Sequence, residues 1–279
     1  MLFSLLADRF VLRPSRDQID IPHKQRREVS CAGMRVEVWT ERSPAASAPE
    51  ELREPELFVL KFNGMGGRAE RTTVHPLEVW PDLPGEVWSA NPPGYGGSEG
   101  RASLKSLAAV ARSVFEELLA VAGSRPIIVA GNSLGTTSAL HVAAHFANVP
   151  NLVGLVLRNP PPLPELIRGR YAWRTFGLAH GVAKRIPPEL DSVANAARVR
   201  LPCVIQQAGR DRIVPPRYQQ LIVEAYAGPK QVVTVPAADH AFVLAPEDAG
   251  PYVQALSWLR SHSGLAEPNP FPLDSPAIS

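Results

Sequence analysis

The chain has 279 residues, 45% hydrophobic and 20% charged, with a formal net charge of +2. This is ordinary globular usage, which excludes a wholly disordered chain, a collagen and a coiled coil, and the length allows one large domain or two small ones. No apolar run reaches the roughly 18–20 residues of a membrane-spanning helix. No basic stripe supports nucleic-acid binding, and two distant cysteines, Cys31 and Cys203, exclude a disulfide framework and suit a reducing compartment.

Residues 1–26 read as an N-terminal extension. Met1 to Leu6 is apolar but short, lacks a basic start and meets Asp8-Arg9 at once, so it does not read as an export signal. A short helix or strand lying on the body is expected there, with peripheral membrane contact as the alternative. With no targeting signal, the expected location is cytoplasmic.

From Arg27 to about His262, short apolar strands alternate with amphipathic helical stretches, the pattern of an α/β domain with a mainly parallel sheet. Glu28 to Trp39, broken by Ala32-Gly33, predicts a β-hairpin, and residues 43–56 a polar, Pro-rich loop. Leu57 to Phe62 predicts a buried strand running into the glycine loop Asn63-Gly64-Met65-Gly66-Gly67. Glu86 to Ala90 predicts the next strand, ending at a second glycine loop, Pro93-Gly94-Tyr95-Gly96-Gly97-Ser98. Over residues 103–122, Leu104, Leu107, Ala111, Val114, Phe115 and Leu118 recur at three- and four-residue spacing, which predicts a helix stopped by Gly123.

Further strands are expected at Pro126 to Ala130, Leu152 to Leu157, Cys203 to Gln207 and Gln231 to Val235. Helices are expected at Thr136 to Asn148, Arg217 to Tyr226 and Pro251 to Ser261. Residues 158–200 break the rhythm with RNPPPLPEL and the aromatic group Tyr171, Trp173 and Phe176, and read as a small cap insertion. Residues 263–279, rich in Pro and Ser and without periodicity, read as a tail.

The sharpest local signal is Gly131-Asn132-Ser133-Leu134-Gly135, after an apolar strand and before a helix. Such a turn holds its serine in a strained conformation with the hydroxyl above the sheet, and neighbouring backbone forces the flanking positions to be small. A serine needs a base to act as a nucleophile. Asp211 follows the strand 203–207, and His240 follows the strand 231–235. In a parallel sheet their loops share an edge with the serine turn. The order Ser133, Asp211, His240 is that expected of an α/β-hydrolase triad.

With the two glycine loops, these residues make the chain resemble the α/β-hydrolase superfamily over about residues 27–262. The resemblance implies a mostly parallel central sheet flanked by helices, a small cap at about 158–200, and a serine hydrolase with no cofactor and no metal. It also implies an oxyanion hole formed by the backbone N–H groups of Leu134 and Met65. Asn63 and Asn132 stand where relatives often carry histidine, which leaves backbone donation intact but weakens any transfer of substrate class.

Weaker candidates sit beside this set. His141 and His145 have a metal-compatible spacing but lack the zinc-protease glutamate, Val142 standing in its place, so packed or surface histidines are the plainer reading. Asp239 adjoins His240, but neighbouring side chains point apart, and Glu165 lies where some relatives place the acid. Leu163, Leu166, Tyr171, Trp173, Phe176 and Leu178 are candidates for an apolar acyl pocket. Arg168, Arg170 and Arg174 offer charge for an anionic group, with a solvated face as the plainer alternative.

The expected activity is cleavage of an ester-type acyl bond through an acyl-enzyme, with a small-molecule acyl substrate. Thioesterase, peptidase, acyltransferase and cofactor-free haloperoxidase or lyase chemistry remain alternatives on the same triad, and a catalytically silent scaffold a further one.

Overall fold

The protein is described from a computed structural model, over residues 2–43, 54–171 and 178–266. The chain opens with a helix, α1 (Leu2–Val11), and a hairpin, β1 (Gln25–Cys31) and β2 (Met34–Arg42), which turns through Ala32 and Gly33, both at positive φ. Then follow β3 (Leu57–Phe62), β4 (Gly85–Ala90), α2 (Leu104–Ala122), β5 (Ile127–Asn132), α3 (Gly135–His145) and β6 (Leu152–Arg158). Next come three short helices, α4 (Leu163–Tyr171), α5 (Leu178–Ala183) and α6 (Ser192–Ala196). The chain closes with β7 (Cys203–Ala208), α7 (Pro216–Ala225), β8 (Lys230–Val235) and α8 (Ala249–His262).

The eight strands form one sheet in the order β1-β2-β4-β3-β5-β6-β7-β8. β2 runs antiparallel to both its neighbours, and every pairing from β4 to β8 is parallel. Because helices cover both faces, the central strands carry continuous apolar runs rather than alternation. In β3, Phe58, Leu60 and Phe62 face α2 and α3, in a core with Val114, Phe115, Leu118 and Leu140. Leu57 and Val59 point the other way, to a core completed by Leu256 and Leu259 of α8. Ser103 caps α2 by accepting from the Ser106 N–H, and Gly123 ends it, as the periodicity predicts.

A third apolar cluster lies outside these two layers. Ala7, Val11 and Leu12 of the N-terminal segment pack there with Leu104 and Ala108 of α2, Leu134 of the serine turn, and Leu163, Ile167, Ala179 and Ala183 of α4 and α5. The N-terminal extension is therefore a helix wedged between the body and the segment that joins β6 to β7. That joining segment divides in two. Its α4 and α5 lie over α1 and Leu134, whereas α6 packs on α3 and α7, with Ala196 and Val199 in the main core. Of the expected loop 43–56 and tail 263–279, residues 44–53 and 267–279 lie outside the described residues. Ser263 and Leu265 are buried against the body.

Parallel connections put the C-terminal ends of β3, β5, β6, β7 and β8 on one edge, and this edge carries Ser133, Asp211 and His240. The tightest packing on it is at Gly135, where a β-carbon would sit 2.1 Å from the Phe62 carbonyl oxygen. A Gly135→Ala protein should therefore lose about 3 kcal/mol or more of stability. Urea unfolding of this variant beside wild type checks it, and an unchanged midpoint would refute the close approach.

Candidate active site

Ser133 follows β5 directly, with φ of 49°, in the left-handed region that side chains avoid, at a cost of about 1–3 kcal/mol. Its surroundings hold it there. The Ser133 N–H donates to the Arg158 carbonyl at the end of β6 (2.8 Å), and its carbonyl accepts from the Thr136 N–H (2.9 Å) and the Thr136 hydroxyl (2.7 Å). A β-carbon at Gly131 would lie 2.6 Å from the Thr136 Cα, so both flanking glycines are dictated by backbone passing close behind the turn.

The three residues singled out by spacing meet here. His240 Nε2 lies 2.9 Å from Ser133 Oγ, and His240 Nδ1 lies 2.6 Å from Asp211 Oδ2. The Asp211 carboxylate is fully buried. Its Oδ1 accepts from the N–H groups of Ile213 and Val214, both at 2.8 Å, and its Oδ2 also accepts from the Gln219 amide at 3.2 Å. A buried carboxylate met by this many donors stays anchored and aims its remaining lone pair at the imidazole.

Two polar residues that the sequence reading passed over complete the frame. Asn159, fully buried just after β6, accepts the Ala208 N–H at 2.9 Å and donates to the His240 carbonyl at 3.1 Å, tying the acid-bearing strand to the histidine loop. Gln219 in α7, also fully buried, reaches both Asp211 and the Val214 carbonyl (2.7 Å). Nothing local in the sequence marks either one. Their partners lie as far as 81 residues away. Arg158 joins them by donating to the Phe242 carbonyl, its guanidinium 4.2 Å from the Phe242 ring centroid.

The first glycine loop runs against the serine turn. A β-carbon at Gly64 would lie 3.4 Å from the Ser133 β-carbon, and the Gly67 N–H donates back to the Gly64 carbonyl at 2.9 Å to close the loop. Asn63 pins its start through the Thr72 and Ser89 hydroxyls, at 2.9 and 3.0 Å. Among the described residues the N–H groups of Leu134 and Met65 find no acceptor within the protein, while the Met65 side chain is exposed.

The other candidates fall elsewhere. Glu165 pairs with Arg168 at 2.8 Å on α4, and Asp239 accepts the Ala241 N–H at 3.0 Å within its own turn. Of the pocket candidates, Trp173 and Phe176 lie outside the described residues, as does Arg174. Tyr171 ends α4, with its side chain outside the described set. Leu163 is packed against Leu134 in the third cluster and Leu166 is buried; neither lines the small cavity beside the serine turn. That cavity, about 40 Å³, is lined instead by Leu12, Tyr95, Leu107, Val110 and Leu134, together with Gly64 and Gly135. No group of three metal-ligating side chains occurs among the described residues.

The rings of His141 and His145 lie with centroids 5.8 Å apart, tilted at 39° to each other.

With the geometry in place, the comparisons decide the fold. Est1E from Butyrivibrio proteoclasticus, solved with ferulic acid bound, superposes with a TM-score of 0.64 at 17% identity, over 83% of this chain and 98% of that one. The esterase Pf2001 from Pyrococcus furiosus gives 0.64 at 13% identity, over 91% and 97%. XC6422 from Xanthomonas campestris, described as an α/β serine hydrolase without a lid, gives 0.59 at 16% identity, over 90% and 100%.

The chain has the α/β-hydrolase fold. At these identities the likeness speaks to the fold alone. By sequence, two uncharacterized proteins of Mycobacterium tuberculosis, MT2364 and Rv2307c, are each 33% identical over 150 residues, which is 53% of this chain and 50% of theirs. The match thus spans about half the length of those relatives. No protein-family model matches the chain. Among the described residues of this α/β-hydrolase fold, no helix is long and apolar enough to cross a membrane.

One titration follows from the packing behind the serine turn. Burial, reinforced by Arg112 and His145, holds the His141 imidazole down at about 4, against an ordinary value of 6.5. Above pH 6.5 the ring is neutral folded or unfolded, and it does not affect stability. As pH falls from 6.5 toward 4, the unfolded chain takes up a proton that the folded one refuses, so stability falls. His141→Leu should flatten that decline. Urea midpoints at pH 7.5 and 5.0 for both proteins check this, and equal declines would count against it.

Proposed function

We propose that the protein is a serine hydrolase that cleaves an ester-type acyl bond through an acyl-enzyme, in the manner of a carboxylesterase. The single observation that carries this reading is the Ser133–His240–Asp211 relay, with hydrogen-bond lengths of 2.9 and 2.6 Å. The printed descriptions of fold neighbours as esterases support it as analogy.

In this reading Ser133 Oγ attacks the substrate carbonyl carbon while its proton passes to His240 Nε2. Asp211 keeps the Nδ1 proton in place and stabilises the imidazolium by its charge. The carbonyl oxygen becomes an oxyanion, for which the unpaired N–H groups of Leu134 and Met65 are the preorganised donors. The tetrahedral adduct collapses, and the alcohol leaves with the proton from His240. Water then gives a proton to His240 as it attacks the acyl-enzyme. Collapse releases the carboxylic acid, and the proton returns to Ser133.

The strain at Ser133 serves this chemistry, because the left-handed turn lifts the hydroxyl above the sheet edge toward His240. The buried anchors of Asp211 and His240 keep the relay from depending on flexible loops.

A fluorophosphonate probe should label Ser133 in the wild type and fail to label Ser133→Ala and His240→Ala, with the modified peptide located by mass spectrometry. On p-nitrophenyl esters, Asp211→Asn should lower kcat by on the order of 10⁴ with little change in KM. Absence of labelling in a well-folded wild type would remove the hydrolase reading.

A further inference from the structure

The cavity beside the serine turn is closed by a residue from outside the expected domain. Leu12 follows α1, is 4% exposed, and forms one wall of the cavity. The opposite walls are Leu107 and Val110 of α2, Leu134 after the nucleophile, and the ring of Tyr95. Gly64, whose β-carbon would lie 3.4 Å from the Ser133 β-carbon, and Gly135, two residues after Ser133, also line it. At about 40 Å³ it has room for about three water-sized groups, the bulk of a short acyl tail.

Leu12 is held in place by its neighbours rather than resting loosely on the surface. The Asp8 carboxylate accepts the Leu104 N–H at the start of α2 (2.8 Å), and the Leu12 N–H donates to the Asp8 carbonyl (2.8 Å). One residue on, the Arg13 N–H donates to the Tyr95 hydroxyl at 3.0 Å. The Ser15 carbonyl accepts both the Gly96 N–H (2.9 Å) and the Arg68 guanidinium (3.0 Å), and Arg68 also reaches the Asp17 carbonyl (3.0 Å). Arg68 is itself buried, paired with Glu70, and sits one residue past the glycine loop. Both glycine loops are thus bonded, directly or through Arg68, to the stretch that carries Leu12.

We propose that the segment Leu2–Asp17 is a working part of the active site, and that Leu12 is a specificity-determining residue that restricts the acyl group to short chains. This inference rests on the hydrolase reading for its catalytic consequence, and on the cavity alone for its binding consequence. An apolar cavity of this size accepts the first few methylenes of an acyl tail and excludes the rest, since a close-packed wall does not yield without strain. Leu12→Ala removes three carbons from that wall and should lengthen the accepted chain accordingly, and Leu12→Val removes one.

Two measurements test this. The first is kcat/KM on p-nitrophenyl esters from acetate to decanoate for wild type, Leu12→Val and Leu12→Ala. Wild type should favour two- to four-carbon acyl groups. Leu12→Ala should move the maximum by two or more carbons and raise kcat/KM for hexanoate about tenfold relative to acetate, with Leu12→Val between them. The second is calorimetric binding of the matching straight-chain carboxylic acids to Ser133→Ala, with and without Leu12→Ala, which needs no turnover.

A shift in acid binding without ester hydrolysis by the wild type would keep the pocket and remove the hydrolase. Ester hydrolysis with an unmoved chain-length profile in a folded Leu12→Val or Leu12→Ala protein would keep the hydrolase and overturn the proposal. If Leu12→Ala does not fold, Leu12→Val carries the test by the same criterion.

Discussion

A serine held at φ of 49° between two glycines sets the terms for everything around it. The conformation is unfavourable by about 1–3 kcal/mol, so the neighbouring structure must over-determine it. It does so by bringing three backbones into contact. The end of β3 passes so close to Gly135 that no side chain fits, β6 accepts the Ser133 N–H, and the first turn of α3 folds back to hold the Ser133 carbonyl. Two of those contacts come from β3 and β6, the strands that flank β5 on either side.

Once the serine is fixed, its partners have to be delivered from loops that begin two and three strands away. Loops alone give poor precision, and the molecule answers with buried amides. Asn159 spans from β7 to the histidine loop, and Gln219 ties the carboxylate to α7. Both are fully buried, and each buried amide without its partners would carry a penalty of about 1–3 kcal/mol. The two amides thereby order the loops: Asn159 is met on both its oxygen and its nitrogen, and the Gln219 nitrogen is shared between Asp211 and the Val214 carbonyl.

The region above the serine is assembled from parts far apart in sequence. The N-terminal helix, the start of α2, the serine turn and the helices α4 and α5 share one apolar cluster. The segment after α1 is further riveted to both glycine loops through Tyr95, Gly96 and Arg68. The wall of the cavity beside the serine turn is thereby coupled to α1 and the stretch that follows it.

The sequence by itself determined the alternation of strands and helices, the serine turn and the order of its two partners. Each is written in local signals: apolar runs of strand length, three- and four-residue helical spacing, glycines flanking a serine, and an acid or histidine just past a strand. The sequence also favoured Asp211 over Asp239 and Glu165, and the tertiary structure supplies the 2.6 Å contact by which it meets the histidine. Only the tertiary structure decided that Asn159 and Gln219 were structural to the site, and that Leu12 stood at its wall. Asn159 and Leu12 take those roles from contacts across tens of residues, and Gln219 from the turn that brings α7 back onto Asp211; an asparagine, a glutamine or a leucine carries no local mark of the partner it meets when the sheet closes.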